Sequence, residues 1–458
     1  MRILPDKHCF PAKLVSLTHR RHQRKTPSQT AQHHWGSTET VFLSTKTLTR
    51  GACILRDLST LKTIDWRNID WQSELGNNIN SIDKLKNYIE LTPDEETILR
   101  EVVDKHPMNI PRYYLSLIDA NKKNDPIRKL ALPGKDELIV EGAMGETTKD
   151  PYGDDKHNKG NGVLHKYPYS ALIVATEYCS MYCRHCFRKR IVGLPNDKTV
   201  ENFQGAAEYI REHKEITNVI ISGGDPFLIN TPQLKTMLDS LIDIEHVNYV
   251  RIGTRAPVVY PMRFFDAELM AYLSEFNKQK TLYIPTHFNH VNEITDLAKE
   301  AVLRIRNAGI TVNNQAVFLK GVNDSAFDLE NLMNGLVKIG VNPYYLYQCM
   351  PVSRVRHHFQ IPLKKGIDIV DKAKERLDGY AKRFKFIMGH DIGKIEVCGR
   401  IDDKLILKQI HSRPEEPHMA SRMMMMQLDD KAGWLDDMQE VTLKQNTRHP
   451  EHAQAAGF

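Results

Sequence analysis

Hydrophobic and polar positions change rhythm several times along the chain, and each change predicts an element. DWRNIDWQSEL at 65–75 is rich in tryptophan. LTPDEE at 91–96 places Thr92 at a helix N-cap, Pro93 in the first turn and Glu95 three residues after the cap, an arrangement that satisfies free N–H groups at a helix start. Helical text follows, so 62–160 is read as a helical N-terminal region, closed by the polar, glycine-rich loop PYGDDKHNKGNGV at 151–163. A regular alternation then begins. Short runs rich in β-branched and aromatic residues occur at 170–176, 218–222, 249–254, 281–286, 311–319 and 342–348. Between them lie segments with helical periodicity, such as ENFQGAAEYIREH and EITDLAKEAVLRIRNAG. Six strand–helix units spaced by roughly 30 to 48 residues predict an α/β fold, a partial (open) six-stranded β/α barrel over 161–355. RFKFIMGHDIGKIEV at 383–397 reads as strand, turn and strand, a C-terminal β-hairpin within the segment 356–411. From 412 to 458 the text is polar and reads as a flexible tail, apart from four successive methionines, Met423 to Met426, for which the sequence offers no purpose.

Composition narrows the class. A chain of 458 residues can bury a sizeable core, and no apolar run approaches the roughly 20 residues of a membrane span. Seven cysteines in such a chain, three of them clustered, do not read as a secreted disulfide framework; metal binding in a reducing, cytoplasmic setting is expected. The net charge of +6 comes from residues 1–57, where ten Lys and Arg face three acids, so the body is balanced and carries no footprint for nucleic acid. The segment 1–61 reads as a basic, disordered lead-in. An organellar transit segment and a mis-assigned start remain open as alternatives.

Chemistry concentrates at the C-terminal ends of the strands: the cysteines after the first, SGGDP after the second, RIGTR on the third, THFNH after the fourth and QCMP after the sixth. In YCSMYCRHCFRKR, Cys179, Cys183 and Cys186 stand close together among basic side chains. Three thiolates on a [4Fe–4S] cluster leave one iron with an open position, which a chelating amine and carboxylate can fill. A zinc site would need a fourth ligand, with His185 the candidate.

CSMYCRHC, SGGDP, RIGTRAPVV, THFNH, NNQAVFLKGVND and YYLYQC, in this order over 62–411, resemble the lysine 2,3-aminomutase family of radical S-adenosylmethionine (SAM) enzymes. The resemblance implies a cluster on Cys179, Cys183 and Cys186, cleavage of SAM to a 5′-deoxyadenosyl radical, and pyridoxal 5′-phosphate as second cofactor. It assigns Ser222, Gly223, Gly224 and Asp225 to the methionine part of SAM, His287 to the cofactor pocket, and Arg188 to the substrate carboxylate. Lys166 and Tyr167 fall in the segment that handles pyridoxal phosphate, where Lys166 and Ser170 stand in place of arginines. Lys394 matches the lysine that carries that cofactor, although GHDIGK has lost most of the family's glycines at this turn.

The positions at which lysine enzymes of the family place two carboxylates for the distal ammonium read here as Met350 and Ile387. A buried ammonium without a counter-charge is costly, so the expected substrate is an amino acid other than free L-lysine. SRVRHH offers Arg354, Arg356, His357 and His358 to an acidic side chain, or forms a solvated basic loop. The expected activity is amino migration from C2 to C3, with an external electron donor such as flavodoxin or ferredoxin; the oligomeric state stays open. Two alternatives are a radical SAM enzyme without pyridoxal phosphate and a non-catalytic iron–sulfur or zinc protein.

Overall fold

The predicted strands lie side by side in a single sheet. A computed structural model describes residues 58–122, 124–139, 147–193, 203–413 and 415–441. The expectations for 1–57 and for 442–458 fall outside these described residues. The strands are β1 (Val163–Tyr167), β2 (Ser170–Thr176), β3 (Asn218–Gly223), β4 (Tyr249–Ile252), β5 (Thr281–Thr286), β6 (Thr311–Phe318), β7 (Asn342–Gln348), β8 (Lys385–His390), β9 (Gly393–Ile401), β10 (Lys404–Ser412) and β11 (Met423–Gln427). They follow one another across the sheet in chain order, from β1 at one edge to β11 at the other, so the sheet is open. β2 to β8 are parallel. β1 folds back antiparallel onto β2, and β9, β10 and β11 are antiparallel to their neighbours.

Connections between the parallel strands run through the helices Phe203–Glu212, Thr231–Asp239, Ala267–Gln279, Asp296–Asn307, Ala326–Lys338 and Leu363–Arg376. Four of these helices start on a polar cap: Asn230, Asp266, Thr295 and Ser325 each accept the backbone N–H three residues on. Val219, Ile221, Val250, Ile252, Leu282 and Ile284 share one apolar core with Leu234, Leu238, Leu273 and Val302 of the helices. The alternate residues, Arg251 and Tyr283 among them, point to the concave side of the sheet.

The parallel run has seven strands where the sequence predicts six. β8 forms the expected hairpin with β9 and also pairs with β7 through Tyr345↔Lys385, Leu346↔Phe386 and Tyr347↔Ile387. Its residues Phe386 to His390 are all buried, as a strand covered on both faces requires, so the barrel does not end at 355.

Upstream of the sheet, the capping box at the start of Pro93–Lys105 forms as its residues predict: Glu95 N–H donates to Thr92 Oγ1 (3.2 Å) and Thr92 N–H to Glu95 Oε2 (2.9 Å). Tyr260 Oη donates to the carbonyl of Trp71 (2.6 Å), and the Arg263 guanidinium lies 4.1 Å from the Trp71 ring, which ties the N-terminal region to the barrel.

Residues 415–441 do not match the flexible tail expected from sequence. The methionine run is β11, which pairs with β10. Met424 and Met426 are buried while Met423 is 56% exposed, the period of two that a half-covered strand imposes. A strap then returns across the sheet's end. Ala432 O accepts from Leu363 N–H (2.8 Å), Gly433 O from Gln348 Nε2 (2.9 Å), Asp437 pairs with buried Arg356, and Trp434 is buried beside His390.

The alternation in β11 predicts unequal losses. Met424→Ala should cost roughly 2–5 kcal/mol and Met423→Ala under about 0.5 kcal/mol, read from urea midpoints of the two variants. Equal losses would contradict the strand.

Candidate active site

The cysteine loop is held from below by ion pairs. Arg184, fully buried, donates from Nε and Nη2 to the two carboxylate oxygens of Glu137 (2.9 and 2.6 Å), and Lys189 Nζ reaches the same carboxylate at 2.6 Å. Burial alone raises the Glu137 carboxyl, but the two cations outweigh it and hold it below the usual range. Asn78 and Asn109 donate to the carbonyls of Ser180 and Cys179. Asp154 takes Arg188 Nε at 3.0 Å, and Arg190 lies 3.2 Å from both Asp150 and Asp155. The basic run beside the cysteines is therefore neutralised by acids from Glu137 and from PYGDD, the stretch that sequence reading leaves as a loop.

Burial pushes the Cys179 thiol well up, with Asp225, Cys186 and Cys183 adding to the effect; Cys186 is pushed up to about 11 by burial and then Cys183. The thiols thus feel one another's charge. Among the described residues, no three His, Cys, Asp or Glu side chains converge as a single-ion cage. His185 packs its ring on Phe359 (6.0 Å) and its Nε2 meets Asn289 at 3.5 Å. Three soft donors gathered but not converged fit a cluster, which takes one thiolate per iron and spaces them wider than one ion does.

SGGDP lies against this loop. A Cβ on Gly223 (φ +111°) would come within 2.4 Å of Thr176 O, and one on Gly224 within 2.1 Å of Tyr178 O. The glycines therefore let the segment lie directly against the chain's own carbonyls at the cysteine loop. Asp225 is likewise committed: its carboxylate accepts Thr254 Oγ1 (2.7 Å), Arg255 N–H (2.9 Å) and Phe227 N–H (3.1 Å). These bonds fix the turn after β4 and hold the Asp225 carboxylate in place beside the cysteine loop. Ser222 Oγ points toward Gly253. His287 Nδ1–H donates to Gln315 O (2.7 Å), and burial and then Arg255 push its pKa down to about 4, so it is neutral at pH 7. Arg188, stacked 4.7 Å from the Phe187 ring, reaches toward Gly223 O at 3.5 Å, which sets its guanidinium between the cysteine loop and SGGDP.

A second centre forms around Lys394 on β9. Its Nζ lies 5.1 Å from the Tyr345 ring and 5.8 Å from the Tyr167 ring. Burial, then Arg251 and Lys166, push its pKa down to about 7. His411, opposite it on β10, is pushed down to about 4 by burial and then Lys394. Arg251 Nη2 bonds Ser170 Oγ (2.9 Å) and Asn218, and its buried Nε has no partner among the described residues. Aromatic walls, a neutral amine and cations with unmet donors fit a phosphorylated aromatic aldehyde. Lys166, pushed down to about 8 by burial, donates to the carbonyls of Tyr152 (2.5 Å) and His390 (2.9 Å), so it ties the hairpin of Lys394 to β1. Tyr167 Oη meets Tyr152 Oη at 2.8 Å.

Ile387 is fully buried, and Met350 packs at Gly389 beside Tyr152, so neither position brings a carboxylate to the pocket. In the basic loop SRVRHH, Arg356 is paired with Asp437 and His358 with Asp136 at 3.2 Å. Arg251, Arg255, Glu137, Asp154 and Tyr345 carry roles that the sequence analysis did not name. The acid pair in PYGDD facing a basic run was the available signal for Asp154.

Comparison with known proteins points the same way. A family model described as the Radical SAM superfamily matches residues 173–330. An L-lysine 2,3-aminomutase of Clostridium subterminale is 41% identical over 317 residues, 69% of this chain and 74% of the relative. That of Acetoanaerobium sticklandii is 41% identical over 318 residues with the same coverages. A glutamate 2,3-aminomutase of Clostridioides difficile is 37% identical over 318 residues, 69% of this chain and 73% of the relative. Among solved structures, one titled "Native anSMEcpe with bound AdoMet and Cp18Cys peptide" overlaps at TM-score 0.34 and 11% identity, covering 44% of this chain and 58% of that one.

The close approach at Gly224 makes Gly224→Ala a test of the packing between the two loops. The added methyl meets a backbone carbonyl one residue before Cys179, so iron and sulfide content after anaerobic reconstitution should fall several-fold against the parent protein. Full incorporation would show that the loops do not depend on that contact.

Proposed function

This chain belongs to the lysine 2,3-aminomutase family of the radical SAM superfamily, and on that premise we propose a 2,3-aminomutase that carries pyridoxal phosphate on Lys394 and takes an amino acid other than free L-lysine. That it is an enzyme, an isomerase moving an amino group, follows from its relatives. The family works with a [4Fe–4S] cluster, SAM and pyridoxal phosphate. The observation that carries the finer reading is the buried Lys394 amine, pushed down to about 7 among cations and phenol rings.

When bound, SAM on the cluster supplies a radical that removes a hydrogen atom, and pyridoxal phosphate supplies an aldehyde that captures the migrating amine. The chain's own residues prepare this chemistry. Lys394, with its pKa pushed down to about 7, keeps a sizeable fraction of its Nζ unprotonated, hence nucleophilic, near neutral pH. Arg251 offers its unmet Nε to an anion, while Lys166 holds the lysine hairpin to β1. Arg188, fixed by Asp154 and Phe187, is aimed as a fork suited to a substrate carboxylate. Tyr152, Tyr167 and Tyr345 wall the space with rings and exclude water from a reactive intermediate.

The substrate argument rests on charge. Met350 and Ile387 offer no partner to a distal ammonium, and leaving that cation buried and unpaired disfavours lysine. The glutamate 2,3-aminomutase among the relatives shows that the family admits another amino acid.

Two outcomes are expected. Reduction with borohydride after incubation with pyridoxal phosphate should leave the cofactor's mass on the peptide containing Lys394, with a trapping rate that climbs as pH rises through about 7 and flattens above it, since only the unprotonated amine reacts. No adduct at Lys394 would remove pyridoxal phosphate from the reading and leave a radical enzyme without it. In anaerobic turnover followed by mass spectrometry of glutamate, arginine and lysine, lysine should be the poor substrate; efficient formation of β-lysine would overturn the substrate assignment.

A further inference from the structure

Arg255, at the turn after β4, is 8% exposed, and its guanidinium is shared among three elements. Nε donates to His287 O (3.2 Å), Nη2 to Glu293 Oε1 (2.5 Å) and to Tyr114 Oη (3.2 Å), and Nη1 to the sulfur of Cys183 at 2.7 Å. Its backbone N–H is held by Asp225. Glu293, fully buried, is in turn fixed by Tyr114 Oη (2.5 Å) and by the backbone N–H groups of Asn289 (2.5 Å) and His290 (3.0 Å). The guanidinium therefore cannot swing away from the sulfur without breaking a buried ion pair. Nothing in the carboxylate-binding or pyridoxal-binding roles above uses it.

We propose that Arg255 is a positioning residue that sets the reduction potential of the cluster through its hydrogen bond to Cys183, with Glu293 as the opposing charge that limits its effect. The inference rests on Cys183 being a cluster ligand. Hydrogen bonds to ligand sulfur and net charge near the cluster both set its potential. A fixed donor and a positive charge favour the reduced state, which carries one more electron, and a buried carboxylate disfavours it. The step concerned is a single one-electron reduction by an external iron–sulfur or flavin protein, with no bond made or broken.

The test is an EPR-monitored titration of the reconstituted cluster with dithionite, on the full chain and without substrate. Arg255→Gln removes the charge and the donor to sulfur, and should lower the potential by at least a tenfold change in the reduction equilibrium, about 59 mV for one electron. Glu293→Gln leaves Arg255 in place and removes the opposing charge, so its shift should have the opposite sign. Arg255→Lys, which keeps the charge without the fork, should fall between parent and Arg255→Gln. A merely structural role would not give shifts of opposite sign. Shifts of the same sign in the two Gln variants, or unmoved potentials, would overturn the proposal. Should Arg255→Gln fail to take up iron, Glu293→Gln alone decides it by the sign of its shift. If Cys183→Ala retains the parent's EPR signal, the ligand assignment itself falls and the proposal with it.

Discussion

The carboxylate of Glu137, buried between Arg184 and Lys189, is the interaction on which the remainder of the site depends. Three thiols in one loop with a basic run beside them form a segment that would otherwise stay hydrated and mobile. Taking those cations out of water is costly unless a carboxylate meets each with good geometry. Glu137 meets two, and Asp154 meets Arg188. The helical N-terminal region thus belongs to the active site: Asn78, Asn109, Tyr114 and Glu137 all come from it, and all touch the cysteine loop or Arg255.

Around this anchor, the open sheet carries two electrostatic problems of opposite sign. At the cysteine loop, burial and neighbouring negative charge push thiols up, against the thiolate form that iron needs. At Lys394, burial and neighbouring positive charge push an amine down, toward the form that attacks an aldehyde. Each end is unfavourable for the bare protein and relieved by its own kind of group, cationic iron at one and an anionic phosphate at the other. SGGDP and the turn after β4 brace the cysteine end, because Asp225 binds Thr254 and the Arg255 backbone while Arg255 reaches Cys183.

Much of the fold was legible because parallel strands leave a strong imprint: β2, β5 and β7 occupy the predicted residues, while β4 stops at Ile252 because Thr254 and the Arg255 N–H are drawn to Asp225. β8 and β9 form the hairpin that the sequence predicts, but the letters of KFIMGH could not show that β8 also extends the parallel run through its pairing to β7. Met423 to Met426 carry no alternation in their letters, so their burial by turns could not be read from them. In the site, the cysteines were legible from spacing, whereas the partners of the basic run and the roles of Asp225, Arg251 and Arg255 depend on residues far apart in sequence. Motif matching named Asp225 and the glycines but could not show how tightly their neighbours, the chain's own backbone, pack against them.

The strap with Trp434 and Asp437 has a temporal consequence. It lies some forty residues downstream of Lys394, yet its contacts to Gln348, Leu363, Arg356 and His390 brace both walls beside that lysine. On the ribosome, the cysteine loop and the strands that frame it emerge long before these clamps do. The walls beside Lys394 are thus completed last in the order of synthesis, well after the loop that carries the three thiols has emerged.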